Sequence, residues 1–100
     1  MINKISHLGI AVKDLKAASE TYRKLLQSEP SEPEFVAEQK VNVVKFTIGE
    51  STIELLEGTS PDSPISKFIE KRGEGIHHIA YESDDVKSDL KRLGDEGFEL

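Results

Sequence analysis

Apolar and polar residues alternate along the first part of the chain, a pattern that predicts a β-strand from Ile2 to Val12. One face of this strand carries Ile5, His7, Gly9 and Ala11, and the other carries Leu8, Ile10 and Val12. Because both faces are largely apolar, we expect the strand to lie inside a sheet or to be covered.

The next segment changes to helical spacing. Asp14 is a suitable N-cap, and the apolar positions that follow it are Leu15, Ala18, Tyr22, Leu25 and Leu26. We predict that this helix ends near Ser28, since Pro30 and Pro33 cannot continue it.

Three extended segments come next. A short strand is predicted at Phe35–Ala37 and a stronger one, rich in β-branched residues, at Val41–Ile48. The turn signal Gly49-Glu50-Ser51 indicates a hairpin that leads into a strand at Thr52–Leu56.

The last part of the chain predicts a helix, a strand and another helix. Ser63 as N-cap and Pro64 at the first turn open a helix that ends at Gly73. A strand at Ile76–Ser83 precedes a helix capped by Asp84 or Asp85 and stopped by Gly97. The final residues, 98–100, are expected to begin a further strand.

The chain contains an internal repeat. Residues 5–15 align without gaps with residues 76–86, so that His7 matches His78 and Asp14 matches Asp85. We therefore predict an α+β fold in which a βαβββ module is repeated, the second module being truncated after its first strand and helix. The predicted boundaries are 1–58 for the first module, 63–72 for a connecting helix and 76–100 for the incomplete second module. The alternative is that both segments are ordinary strand–cap–helix units.

Composition narrows the function classes. The chain has no cysteine, which excludes thiolate metal sites and cysteine nucleophiles, and its net charge of −6 argues against nucleic-acid binding. No apolar run is long enough for a membrane span, and no signal-peptide pattern is present. We expect a cytoplasmic enzyme or binding protein.

The histidines are the candidate metal ligands. A lone histidine in an apolar strand is more often a core residue, but His7 and His78 are equivalent in the repeat and could face one cavity. Glu54, a carboxylate among aliphatic residues, is the candidate third ligand, although an exposed position on an edge strand is the alternative. By alternation His77 should point to the opposite face and either be structural or support a ligand from behind, and Glu57 should be solvated. Two histidines and a carboxylate would leave a metal open to a substrate carbonyl, whose enediolate it could stabilise.

Four segments resemble one enzyme family. The stretch His7–Val12 resembles the opening strand of the vicinal oxygen chelate superfamily. The segments Glu54–Gly58, Asp62–Ile65 and Gly75–Tyr81 look specifically like the methylmalonyl-CoA epimerases of that superfamily. The resemblance spans the whole chain but only about three quarters of the family's length.

The resemblance implies paired βαβββ modules, a homodimer, an acyl-CoA substrate and a divalent metal, most often cobalt or manganese. It implies epimerisation at C2 of methylmalonyl-CoA through an enediolate. His7 and His78 match metal ligands, and Glu54 matches a position that holds Gln or Glu. A last glutamate ligand would lie beyond Leu100, so residues 1–100 alone should be inactive, and Lys45 lies near the place of a second catalytic glutamate in some members. Another enzyme of the superfamily, such as a glyoxalase-type isomerase or a dioxygenase, and a non-catalytic binding domain remain alternatives.

Overall fold

The structure is a computed structural model that describes residues 1–99. Its elements are β1 (Ile2–Ala11), α1 (Leu15–Leu26), β2 (Glu34–Val36), β3 (Val41–Ile48), β4 (Ser51–Gly58), α2 (Pro64–Arg72), β5 (Gly75–Ser83) and α3 (Val86–Asp95). Each predicted element up to α3 is present, with boundaries that differ by a few residues at most.

The five strands form one mixed sheet in the order β2-β3-β4-β1-β5. β1 lies parallel to β4 and antiparallel to β5, so it is the interior strand that its two apolar faces predicted. The first half of the chain therefore folds as β-α-β-β-β, and β5 and α3 repeat its opening, which confirms the predicted fold class.

The register of β1 and β5 shows that the repeat is a structural symmetry. His7 pairs with Ala80, and Gly9 pairs with His78. Replacing both residues of the first pair by their repeat equivalents, 71 positions away, gives the second pair. Between them Leu8 pairs with Ile79, its own equivalent 71 residues on. A pseudo-twofold axis therefore passes through the Leu8–Ile79 pair, close to His7 and His78.

The two faces of the sheet pack against different helices. One face buries Val12, Leu15, Val44, Phe46 and Leu55, with Ala18, Tyr22 and Leu26 of α1 packed against them. The other face buries Ala11, Val41, Val43, Leu56 and Ile65, with Phe68 and Ile69 of α2 packed against them. α2, which has only nine residues, contacts β1, β4 and β5.

Side-chain caps fix where the helices begin. Asp14 accepts the amide of Ala17 at the start of α1, and Asp85, rather than Asp84, caps α3. Glu57 corrects a sequence prediction, because it is not simply solvated and its Oε2 accepts the first amide of α1, that of Leu15, at 3.0 Å. Within residues 1–99 no helix is long and apolar enough to cross a membrane.

The strand predicted from Phe98 is not present over Phe98 and Glu99, and Leu100 lies outside the described residues. The reason is the end of α3. Gly97 adopts a φ of 94°, a conformation that favours glycine, and the amide of Phe98 bonds back to the carbonyl of Leu93 at 2.9 Å. The backbone amide of Phe98 therefore closes the helix.

An ion pair joins Lys40, just before β3, to Asp62, in the loop before α2. We expect it to make the free energy of unfolding depend on pH. Lys40 and Ser60 both donate to Asp62 and hold the pKa of its carboxyl at about 2, below the usual 3.8. Since the folded-state pKa is lowered, this stabilisation is fully present above pH 3.8 and is lost as the pH falls through 2. Urea unfolding should show Asp62→Asn less stable than wild type at pH 6, with a difference that is much smaller at pH 2. A difference that persists unchanged at pH 2 would contradict this assignment.

Candidate functional site

A row of four residues crosses the sheet on the face that α2 packs against. The register pairs Lys45 of β3 with Glu54 of β4, Glu54 with Gly9 of β1, and Gly9 with His78 of β5. Directly paired residues project on the same side of a sheet, so this row places a cation, a carboxylate and an imidazole around one glycine. His7 stands two residues before Gly9 and therefore faces the same side.

His7 and His78 meet as the repeat predicted. Their Nε2 atoms are 3.1 Å apart, and their rings are nearly perpendicular, with centroids separated by 5.2 Å. The side chain of His7 is 26% exposed, so the pair is accessible from solvent. Two ring nitrogens at this distance either share one proton or bind a common cation.

Gly9 provides the space for the imidazole of His78. A Cβ atom at residue 9 would lie 2.2 Å from Cε1 of His78 and 2.6 Å from its Nδ1, well inside van der Waals contact. The ring of His78 therefore lies directly over the backbone of Gly9. A glycine inside a strand often marks such a close approach.

His77 corrects the expectation from simple alternation. β5 contains a bulge, because His78 pairs with Gly9 and Ile76 pairs with Ile10, which leaves His77 without a partner residue in β1. The bulge brings the Nδ1 atoms of His77 and His78 to 2.9 Å, while the edge of the His77 ring meets Phe68 of α2. His77 and His78 therefore lie on the same side, and all three histidines of the chain form one cluster.

Glu54 is near this cluster but faces a different nitrogen. Its Oε2 lies 3.8 Å from Nδ1 of His7, on the ring atom that does not meet His78, and its side chain is 20% exposed. This distance is too long for a hydrogen bond. The carboxylate therefore lies beside the histidine pair without a hydrogen bond to it, and its charge acts on His78 in the direction that raises the pKa of that imidazole.

Burial and neighbouring charge keep His78 neutral. Desolvation is the largest effect that lowers the pKa of His78 below 6.5, followed by repulsion from His7 and His77, while Glu54 opposes the shift. A neutral imidazole is the form that can bind a metal. At neutral pH His78 can therefore bind a metal without first losing a proton.

The histidine pair fits a divalent metal ion. Two nitrogens bound to one metal at about 2.1 Å, at an angle of roughly 90–110°, lie about 3.0–3.4 Å apart. The observed separation of 3.1 Å falls in that range. Over residues 1–99, no group of three or more His, Cys, Asp or Glu side chains is gathered tightly enough to hold a metal as the side chains stand. The described residues thus supply a fitting pair with one carboxylate nearby.

Comparison with known proteins identifies the family. A model of the glyoxalase/bleomycin resistance protein/dioxygenase superfamily matches residues 6–100. The chain belongs to this superfamily. The resemblance seen in the four sequence segments is thereby confirmed, and the β-α-β-β-β arrangement is the module on which the superfamily fold is built.

Relatives within the superfamily are named as epimerases. The ethylmalonyl-CoA/methylmalonyl-CoA epimerase of Cereibacter sphaeroides is 40% identical over 98 residues, which are 97% of this chain and 73% of that protein. A Streptomyces coelicolor methylmalonyl-CoA epimerase bound to 2-nitronate-propionyl-CoA is 37% identical with a TM-score of 0.85, over 99% of this chain and 73% of its own. A methylmalonyl-CoA epimerase in complex with methylmalonyl-CoA and ammonium gives the same identity, coverage and TM-score.

The apolar pattern of the sequence does not predict two features of this site. It places Gly9 on an apolar face of β1, although a glycine within a strand is itself a signal of close approach. The bulge at His77 had no such signal, because alternation assumes that every residue of β5 has a partner in β1. The same bulge places His77 where it can orient His78.

Proposed function

We propose that this chain forms the substrate-activating part of a methylmalonyl-CoA epimerase. Two independent lines support the proposal. Relatives that carry this name match almost the whole chain, and the three histidines form a cluster beside the pseudo-twofold axis, with the His7–His78 pair fitting a metal. The separation of 3.1 Å between the two Nε2 atoms is the observation that carries the proposal.

The proposed reaction is proton exchange at C2 of the malonyl group. C2 lies between a thioester and a carboxylate, so loss of its proton produces a planar enediolate, and return of a proton to the opposite face gives the other epimer. His7 and His78 would hold a divalent metal, with Glu54 as a third ligand after its carboxylate turns from Nδ1 of His7. When bound, such a metal supplies Lewis-acid polarisation of the substrate oxygens and stabilises negative charge.

The proton-transferring base is assigned to a glutamate beyond Leu100, as the family resemblance implies. Neither carboxylate of β4 is assigned this role, because Glu54 is the proposed third ligand and Glu57 accepts the first amide of α1 on the other face. Cobalt or manganese is the proposed metal, and a homodimer is the proposed assembly. These three assignments rest on the family resemblance.

The proposal is tested by conversion of one substrate epimer into the other. The full-length protein, loaded with cobalt or manganese, should convert pure (2R)- or (2S)-methylmalonyl-CoA into an equal mixture, followed by stereospecific enzymatic analysis. Methylglyoxal with glutathione serves as the comparison substrate, because a glyoxalase-type isomerase would consume it. Turnover of methylglyoxal without epimerisation would replace the proposed function with that alternative.

His77 provides a prediction about metal affinity. If Nε2 of His78 binds the metal, its Nδ1 carries the proton and donates it to Nδ1 of His77, 2.9 Å away. Replacing His77 with leucine removes this acceptor, so we expect metal affinity to fall about tenfold to a hundredfold. Isothermal titration with cobalt measures the loss, and thermal unfolding serves as the control for folding. Unchanged affinity in His77→Leu would show that His77 does not orient His78.

A further inference from the structure

The side chain of Lys45 has no role in the site described so far, although it stands in the same row as Glu54, Gly9 and His78. Its strand neighbours on this face, Val41 and Val43, pack in the core under α2. Lys45 is one step further along β3 and exposed, so its side chain projects from the open part of that face.

The backbone of Lys45 is held in the type of strand pairing that brings the side chains of paired residues nearest to each other. The carbonyl of Lys45 accepts the amide of Ser31 at 2.8 Å, and its amide donates to Oγ of Ser31 at 2.9 Å. Both main-chain polar groups therefore point away from β4. In an antiparallel pair this makes Lys45 and Glu54 a non-hydrogen-bonded pair, the type in which Cα atoms are about 4.5 Å apart and side chains are closest.

Lys45 and Glu54 nevertheless do not form an ion pair. The carboxylate of Glu54 turns to Nδ1 of His7, and within residues 1–99 no ion pair involves Lys45. Lys45 therefore pairs along the strands with the candidate ligand residue, while its ammonium has no ion-pair partner among residues 1–99, in a protein whose net charge is −6. An anionic substrate approaching this face is repelled by the molecule as a whole and is attracted locally at this position.

We propose that Lys45 binds the free carboxylate of the acyl group and selects acyl-CoA esters of the malonyl type over esters of simple fatty acids. This inference rests on the proposed function and adds a specificity residue to it. The ammonium donates to the carboxylate oxygen that does not face the histidines, and this contact gives Lys45 a binding role rather than that of a base. A lysine that selects a carboxylate must keep its charge, so arginine can replace it and a neutral residue cannot.

The test compares two ligands that differ only in the carboxylate. 2,2-Dimethylmalonyl-CoA has no proton at C2 and cannot react, and isobutyryl-CoA is the same ester without the carboxylate. In the full-length, metal-loaded protein, Lys45→Met should raise the dissociation constant of dimethylmalonyl-CoA about tenfold and leave that of isobutyryl-CoA unchanged. Lys45→Arg should retain most of the affinity, and Lys16→Met, on the helix that covers the opposite face, is the matched control.

The outcomes separate this inference from the proposed function. If Lys45→Met raises the dissociation constants of both ligands equally, Lys45 contacts the CoA portion or supports the fold. If it changes neither constant, Lys45 is not part of the site. Either result overturns the inference while wild-type epimerisation stands. If the wild-type protein epimerises nothing, the proposed function fails, and wild-type selectivity for the malonyl ester then tests Lys45 as a carboxylate-binding residue alone.

Discussion

Replacing His78 with alanine is expected to abolish epimerisation and metal binding while leaving the fold intact. His78 contributes one of the two nitrogens that fit a shared metal, at 3.1 Å from that of His7. A metal ion that stabilises charge in this reaction contributes several kcal/mol, so its loss should lower the rate at least about a thousandfold. His7→Ala should have an effect of the same size, because the repeat makes the two residues equivalent.

The controls for this prediction separate chemistry from stability. The ring of His78 is only partly buried, so His78→Ala should change the free energy of unfolding by no more than about 1 kcal/mol. Cobalt titration and urea unfolding of the same preparation measure the two quantities. A His78→Ala variant that binds cobalt as tightly as wild type would remove this residue from the metal site.

Replacing Gly9 with alanine is expected to damage the site without unfolding the protein. The new Cβ would overlap the ring of His78 at 2.2 Å, so the ring must rotate away from its position against His7. The ring is a movable side chain, and alanine reduces the freedom of the unfolded backbone. We therefore expect a change in stability within about 1–2 kcal/mol. Metal affinity should fall about a hundredfold, because a ligand displaced by an ångström no longer holds its geometry.

A double-mutant cycle tests this explanation directly. In a His78→Ala background no ring is present to clash, so Gly9→Ala should have no further effect on metal affinity. If Gly9→Ala weakens metal binding equally in both backgrounds, the alanine acts through the backbone of β1 and not through His78. If Gly9→Ala alone binds metal as tightly as wild type, the ring of His78 can bind the metal from a second position.

The fold could be predicted from the sequence because local signals and the repeat agree. The caps at Asp14 and Ser63, the alternation in β1 and the 71-residue offset each indicate the same arrangement. The final strand was predicted wrongly over Phe98 and Glu99, because a helix ending with Gly97 uses the next amide for itself. The apolar pattern of a segment does not reveal where its backbone hydrogen bonds go.

Of the candidate site, the sequence predicts only the part that follows from the internal repeat. The meeting of His7 and His78 follows from their equivalence, since two residues beside a pseudo-twofold axis approach each other. The position of His77 depends on a bulge, and the row from Lys45 through Glu54 and Gly9 to His78 depends on register across four strands. Register is set by contacts between distant segments, so a pattern read along one strand cannot supply it.

We propose that the His7–His78 pair forms the centre at which C2 of methylmalonyl-CoA loses and regains its proton. The most direct measurement is incorporation of deuterium at C2 when the full-length, metal-loaded protein acts on methylmalonyl-CoA in heavy water, followed by mass spectrometry. We expect rapid incorporation by the wild-type protein and only the uncatalysed rate with His78→Ala. No incorporation by the metal-loaded wild type, or equal incorporation by His78→Ala, would contradict it.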